Sequence, residues 1–273
     1  MVFMCVCSSV VCVQEMYSRA FGFFDTFLPT LGVVDPTTGR MSGQGAGFVA
    51  LENKYWRVIM LDTGYGTYSV VPKMDSTNNT QPESVLRWLR DEVQIGNNSD
   101  TRGLIFLTHH QVVSASGSAY PATPKQIAAL IPSNRTVVWL WGHEHRMAWY
   151  EPVSVGGLTV HGRCIGNSGF PASVAAIPAR AKDAGLMVYD DRVYQQVSGF
   201  FDTKTSYNGF THMTLEGPVA TIEYATLATD PDTGVVSDSI QTELLKESFK
   251  VDQQGNVQLV DFNIINPDLT IVH

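Results

Sequence analysis

Leu104-Ile-Phe-Leu-Thr-His-His110 and Thr136-Val-Val-Trp-Leu-Trp-Gly-His-Glu-His145 decide how this chain is read. Each is a short apolar, β-rich run that stops at two histidines, the pattern of a strand buried on both faces and the turn that leaves it. Between them Thr123-Pro-Lys-Gln-Ile-Ala-Ala-Leu-Ile131 reads as a helix, with Thr123 as N-cap and Pro124 in the first turn. Strand, helix, strand makes a crossover, so the two strands run parallel. His109, His110, His143 and His145 therefore fall at carboxyl ends of parallel strands, where open α/β sheets place their ligand sites.

Working outward, residues 48–51 and 55–61 read as a hairpin about Glu52-Asn53-Lys54. Residues 82–94 read as a helix with Val85, Leu86, Leu89 and Val93 on one stripe and a Glu83–Arg87 pair on its surface. After His145 the chain becomes β-rich, with strand patterns at 147–153, 158–163, 186–189, 210–215, 219–224 and 244–250, and a turn at Glu216-Gly-Pro218. The fold class is α/β.

Composition narrows the functions. Of 273 residues 44% are apolar and 16% charged, enough apolar surface for a compact core. Eighteen Lys+Arg against 26 Asp+Glu give a net charge of −8, which excludes a basic field for nucleic acid. The apolar start, MVFMCVCSSVVCV, is too short to span a bilayer and has no basic n-region, so residues 1–14 are expected to be a leader of no assigned function and no membrane span is expected. Cys5, Cys7, Cys12 and Cys164 do not form a disulfide framework, which fits a reducing, cytoplasmic setting.

Neutral imidazole is a common ligand for Zn, Fe and Mn, so two histidine pairs at strand ends point to a metal site. In Gly142-His-Glu-His145 the two side chains leave the turn in different directions, suiting two adjacent ions, while Gly142 lets the backbone pass close beneath. The competing reading is a pair of solvated turn histidines. Asn167 and Ser168, flanked by Gly166 and Gly169, could meet a phosphate through side chains and backbone N–H groups. His161 and His212 lie in strand patterns and read as structural, Asp62 as a turn residue, and Cys164 as a buried small hydrophobe.

Leu107-Thr-His-His110 and Trp139-Leu-Trp-Gly-His-Glu-His145 resemble the last two metal-binding blocks of the calcineurin-like metallophosphoesterases. Met16-Tyr-Ser, Gly22-Phe-Phe-Asp-Thr-Phe-Leu-Pro, Phe48-Val-Ala-Leu-Glu-Asn, Trp56-Arg-Val-Ile-Met-Leu-Asp-Thr, Tyr150-Glu-Pro, Arg163-Cys-Ile-Gly and Gly169-Phe-Pro extend the likeness over residues 15–250. The resemblance implies a partial four-layer α/β/β/α sandwich of two mixed sheets, occupying residues 15–262 and followed by a tail at 263–273. It implies one or two divalent ions (Mn, Zn or Fe), His109 and His143 on one ion and His145 on the other. His110 would then support a ligand or face the substrate. Two ions about 3.5 to 4 Å apart activate a water and neutralise charge on a phosphate ester, so the expected substrate is a phosphorylated small molecule or other phosphoester.

The sequence also departs from the family. Its Asp-x-His, Gly-Asp and Gly-Asn-His-Glu/Asp blocks are missing from the 273 residues. Running the pattern back from Met16, Val13 stands where the Asn ligand belongs and Gln14 where the catalytic His belongs; only Glu15 matches. Valine offers no donor atom, and an amide does not shuttle protons as imidazole does. The expectation is a metal-dependent phosphoesterase resembling the C-terminal two-thirds of the family and impaired in this chain. The alternatives are a non-catalytic binding or regulatory remnant of the fold and a zinc-stabilised structural domain; the latter is weakened because Cys164 alone does not supply the Cys ligands such sites use.

Overall fold

The computed structural model describes residues 33–34, 37, 41–42, 46–63, 80–132, 134–167, 177, 181–198, 201–229 and 236–272. The leader, Gln14, Glu15, the motifs between 16 and 30, Ser168 and Gly169-Phe-Pro lie outside these residues.

The architecture grows from one parallel core. Strands β1 (Val33–Val34) and β2 (Met41–Ser42) pair with each other. β3 (Val49–Glu52) and β4 (Trp56–Leu61) form the expected antiparallel hairpin, in which the Asn53 carboxamide oxygen accepts the N–H groups of Tyr55 and Trp56, each at 2.8 Å. α1 (Glu83–Arg87) follows and widens into a π-turn over Trp88–Glu92; Val85, Leu89 and Val93 are its buried stripe, while Glu83 reaches Arg90 at 3.8 Å rather than Arg87.

β5 (Gly103–Thr108), α2 (Ala122–Ala128) and β6 (Thr136–Trp141) make the crossover read from the sequence. β4, β5, β6 and β9 (Leu158–Ile165) are mutually parallel neighbours. β7 (Met147–Tyr150), β8 (Val153–Val155) and β10 (Leu186–Tyr189) add antiparallel partners, and β17 (Thr270–Ile271) closes one edge, giving a nine-stranded mixed sheet in the order β17-β10-β7-β9-β6-β5-β4-β3, with β8 also on β9. β11 (Val193–Ser198) and β12 (Phe201–Ser206) pair separately. β13 (Gly209–Glu216), β14 (Val219–Thr229), β15 (Val236–Val251) and β16 (Val257–Ile264) form a four-stranded antiparallel sheet.

Period-two alternation then builds two cores. In β5, Ile105 and Leu107 face the four-stranded sheet and meet Ile222, Leu245 and Phe249, whereas Leu104 and Phe106 face the helices and meet Leu89 and Ile127. All six β5 residues are buried, which is why the strand reads as an unbroken apolar run. The protein is α/β with two sheets face to face and helices outside the larger one; among the described residues no helix covers the outer face of the smaller sheet. Residues 263–272, expected as a tail, are built into both sheets, because they hold the last residues of β16 and the edge strand β17 paired through Val188↔Ile271.

One charged contact crosses the apolar interface. Arg163 on β9 and Glu247 on β15 are both fully buried, paired at 2.7 Å and 2.8 Å, and Tyr224 donates to the same carboxylate at 2.5 Å. The remaining guanidinium nitrogen donates to the carbonyls of Tyr150 and Gly162, so the arginine is satisfied on every side. A pair of this kind contributes little net stability over apolar packing but fixes how the sheets sit, because removing one partner strands a charge at a cost of about 3 to 5 kcal/mol.

His161, two residues before that arginine, is structural as expected: its buried ring packs on Phe249 at 5.2 Å. Burial, reinforced by Arg163 and partly offset by Glu247, lowers its pKa from 6.5 to about 4. The unfolded chain therefore takes up this proton first as pH falls, so the stability His161 contributes is whole above pH 6.5 and drains away between 6.5 and about 4. The loss is about 3 kcal/mol for a shift of this size. Urea unfolding of wild type and His161→Leu from pH 7 to pH 4.5 checks this: the wild-type midpoint falls more steeply, and the variant keeps only the slope of the other buried groups.

Candidate metal centre

The register of the parallel strands brings the histidines together. Thr108 of β5 lies beside Trp141 of β6, and Trp141 beside Cys164 of β9, so all three strands end at one level. At that level the Trp139 indole N–H donates to the Thr108 hydroxyl at 2.9 Å, and the hydroxyl donates to the His110 carbonyl at 2.9 Å. The Gly142 N–H bonds the carbonyls of Thr108 and His109, at 3.3 Å and 3.1 Å, tying the second histidine turn directly onto the first.

The tight geometry of the second turn sits where the sequence did not place it. His143, not Gly142, has positive φ, 60°, and the close approach occurs at Gly166, where an added Cβ would collide with the Glu144 carbonyl. The Cys164 thiol lies beneath the turn against the Glu144 and Arg146 carbonyls, at 3.4 Å and 3.3 Å. Burial raises that thiol's pKa, so it packs as a small hydrophobe and not as a nucleophile. Glu144 points to the loop after β5, where the hydroxyls of Ser114 and Ser116 donate to one carboxylate oxygen at 2.5 Å and 2.6 Å.

His109, His110 and His143 converge. Nε2 of His109 and Nδ1 of His143 are 2.9 Å apart, and the three rings lie 4.8 to 4.9 Å from one another. One nitrogen from each residue falls within 4.8 Å of the other two. Thr63, just after β4, holds His110 from behind, its hydroxyl meeting both the His110 backbone N–H at 2.9 Å and Nδ1 at 3.1 Å. Tyr120 packs against the His110 ring at 4.4 Å.

Burial, then the neighbouring rings of His109 and His143, lowers the His110 pKa to about 3, and burial lowers those of His143 and His145. Neutral imidazoles with lone pairs at pH 7 suit a borderline divalent cation such as zinc. For two ions the fit is poorer, because among the described residues no carboxylate joins the group to offset cation repulsion.

The remaining described candidates fall outside this group of three. His145 is half-buried and is not one of the three grouped residues. Asn167 is buried, its side-chain amide N–H donating to the Tyr207 carbonyl at 3.3 Å and its backbone carbonyl accepting the Gly209 N–H at 2.9 Å. His212 pairs with Glu223 on the neighbouring strand at 3.1 Å. Sequence reasoning gave no site role to Thr63, Ser114, Ser116 or Tyr120, which reach the site only through the fold.

A sequence model of the calcineurin-like phosphoesterase family matches residues 17–147, a span that contains both histidine turns. This segment is similar to the calcineurin-like phosphoesterases. The family is one of hydrolases, and its members usually bind divalent metals. Among solved structures, a purple acid phosphatase from yellow lupin (Lupinus luteus) seeds is 14% identical with a TM-score of 0.38, the similarity covering 75% of this chain and 33% of that one. Vps29 of Chaetomium thermophilum is 12% identical with a TM-score of 0.26, covering 76% of this chain and 60% of that one. The chain thus spans about a third of the phosphatase and 60% of Vps29. No curated protein sequence matches it. No helix among the described residues is long and apolar enough to cross a membrane.

The Gly166 contact gives a direct test of how the second histidine turn is held. Gly166→Ala places a methyl group against a backbone carbonyl that has little room to yield, so the His143 turn must shift. Zinc titration by calorimetry is expected to show at least about tenfold weaker binding in Gly166→Ala than in wild type, the order of loss seen when the support of a metal ligand is removed.

Proposed function

We propose that this chain is a metal-dependent phosphoesterase whose ion sits at the carboxyl ends of β5 and β6 and whose substrate is a phosphate mono- or diester. The observation that supports it is the contact of His109 with His143, at 2.9 Å, inside the segment that matches the phosphoesterase family. In this reading His109 and His143 hold the ion, which is Zn, Mn or Fe, and His145 serves a second ion where anionic ligands complete it. A divalent ion there would lower the pKa of water toward 7 and neutralise charge developing on the phosphate. The chain's own residues orient and exclude: Thr63 and Tyr120 fix the His110 ring, and the Ser114–Glu144–Ser116 contacts fix the second turn.

A second reading is a binding or regulatory module that keeps the fold without turnover. It is favoured by the lack of a carboxylate in the grouped residues among those described. Assays of an aryl phosphate and an aryl phosphodiester with Zn, Mn or Fe separate the two. The phosphoesterase reading expects slow turnover that chelation and His143→Ala both abolish. Metal binding with no hydrolysis above the buffer rate would instead establish the binding module.

A further inference from the structure

We propose that His110 is itself a metal ligand, completing with His109 and His143 a one-ion site of three imidazoles that leaves a coordination position open to water or a small oxyanion. The inference rests on the divalent cation of the preceding section but not on phosphoester turnover. It moves His110 from beside the ion into its ligand set, and it leaves His145 out.

Three observations carry it. The first is the grouping: one nitrogen from each of His109, His110 and His143 lies within 4.8 Å of the others. Two nitrogens held near 2.1 Å from one tetrahedral ion must stand about 3.4 Å apart. The 2.9 Å between His109 and His143 has to open slightly, and His110 has to close from within 4.8 Å to about 3.4 Å, a side-chain movement of at most about 1.4 Å.

The second is the hydrogen bonding behind His110. A histidine that binds a metal commonly gives its other ring N–H to an oxygen that fixes the tautomer and the ring plane. Nδ1 of His110 has such a partner in the Thr63 hydroxyl at 3.1 Å, and the same hydroxyl takes the residue's backbone N–H at 2.9 Å. With Nδ1 as the donor, Nε2 is the nitrogen available to a cation.

The third is what surrounds the group. The nearest acid in sequence, Glu144, has one carboxylate oxygen taken by two serine hydroxyls, at 2.5 Å and 2.6 Å. No carboxylate joins the three imidazoles among the described residues. A neutral ligand set suits one cation and disfavours a second beside it, and three protein ligands with one open position is the count of sites that exchange a small ligand.

Zinc binding to the full 273-residue chain tests this by two routes. Long-range nitrogen-15 spectra of histidine side chains in wild type, recorded as zinc chloride is added, are expected to show the rings of His109, His110 and His143 shifting together and saturating at one zinc per chain, with His145 unmoved. Calorimetry with His110→Ala is expected to show at least about tenfold weaker zinc binding, with His145→Ala within about threefold of wild type. The proposal is overturned if the His110 ring does not move while zinc binds, if His145→Ala loses as much affinity as His143→Ala, or if two zinc ions bind with similar affinity. Those outcomes leave the phosphoesterase reading intact wherever turnover depends on metal. One tightly bound zinc that requires His110, in a chain without turnover, would sustain this inference and end that reading.

Discussion

The site depends on one constraint, the shared register of β5, β6 and β9. Because Thr108, Trp141 and Cys164 stand side by side across three parallel strands, whatever follows each of them emerges at the same edge of the sheet. The strands are held there by burial on both faces: Phe106 and Trp139 stack at 4.6 Å on the helix side, while Ile105, Leu107, Val138 and Leu140 fill the core between the sheets. A slip of one residue would turn each apolar set to the wrong face and separate the histidine turns, so the register that packs the core also assembles the site.

Much of this was legible in the sequence, for local reasons. A strand buried on both faces is an apolar run, a crossover helix carries an apolar stripe, and the histidines adjoin the strands in the chain, so strand order alone brings them near; the cap was misread, because the helix starts at Ala122 with Pro121 before it and Thr123 lies inside it, buried. The partners that hold them were not legible. Thr63 follows β4, Ser114 and Ser116 lie in the loop after β5, and Gly166 follows β9, so each reaches the site through tertiary packing that leaves no local periodicity. The strain of the Gly-His-Glu-His turn illustrates the point. Sequence reasoning placed a close backbone approach at Gly142, whereas the structure has its left-handed residue at His143, φ 60°, and a close approach to the Glu144 carbonyl at Gly166.

The two sheets divide the work. The larger one places the histidine turns, and the smaller one covers its other face and, through Glu247 and Tyr224, pins Arg163 one residue before the cysteine that supports the second turn. Misplacing ligands by a fraction of an ångström is costly for a metal site, and a fully bonded guanidinium limits the ways the sheets can slide. The chemistry then turns on charge. Three neutral imidazoles attract one cation without balancing a second, whereas hydrolysis by an ion pair needs anionic ligands between the metals. The histidine turns lie in the segment similar to the family, and among the described residues no carboxylate converges with them to complete a dinuclear centre.

The most direct measurement is a crystal structure of the zinc-loaded chain with anomalous data collected at the zinc absorption edge. The account predicts a single anomalous peak within about 2.1 Å of one nitrogen from each of His109, His110 and His143. A peak bonded to His145 but not to His110, or two peaks about 3.5 to 4 Å apart, would contradict it.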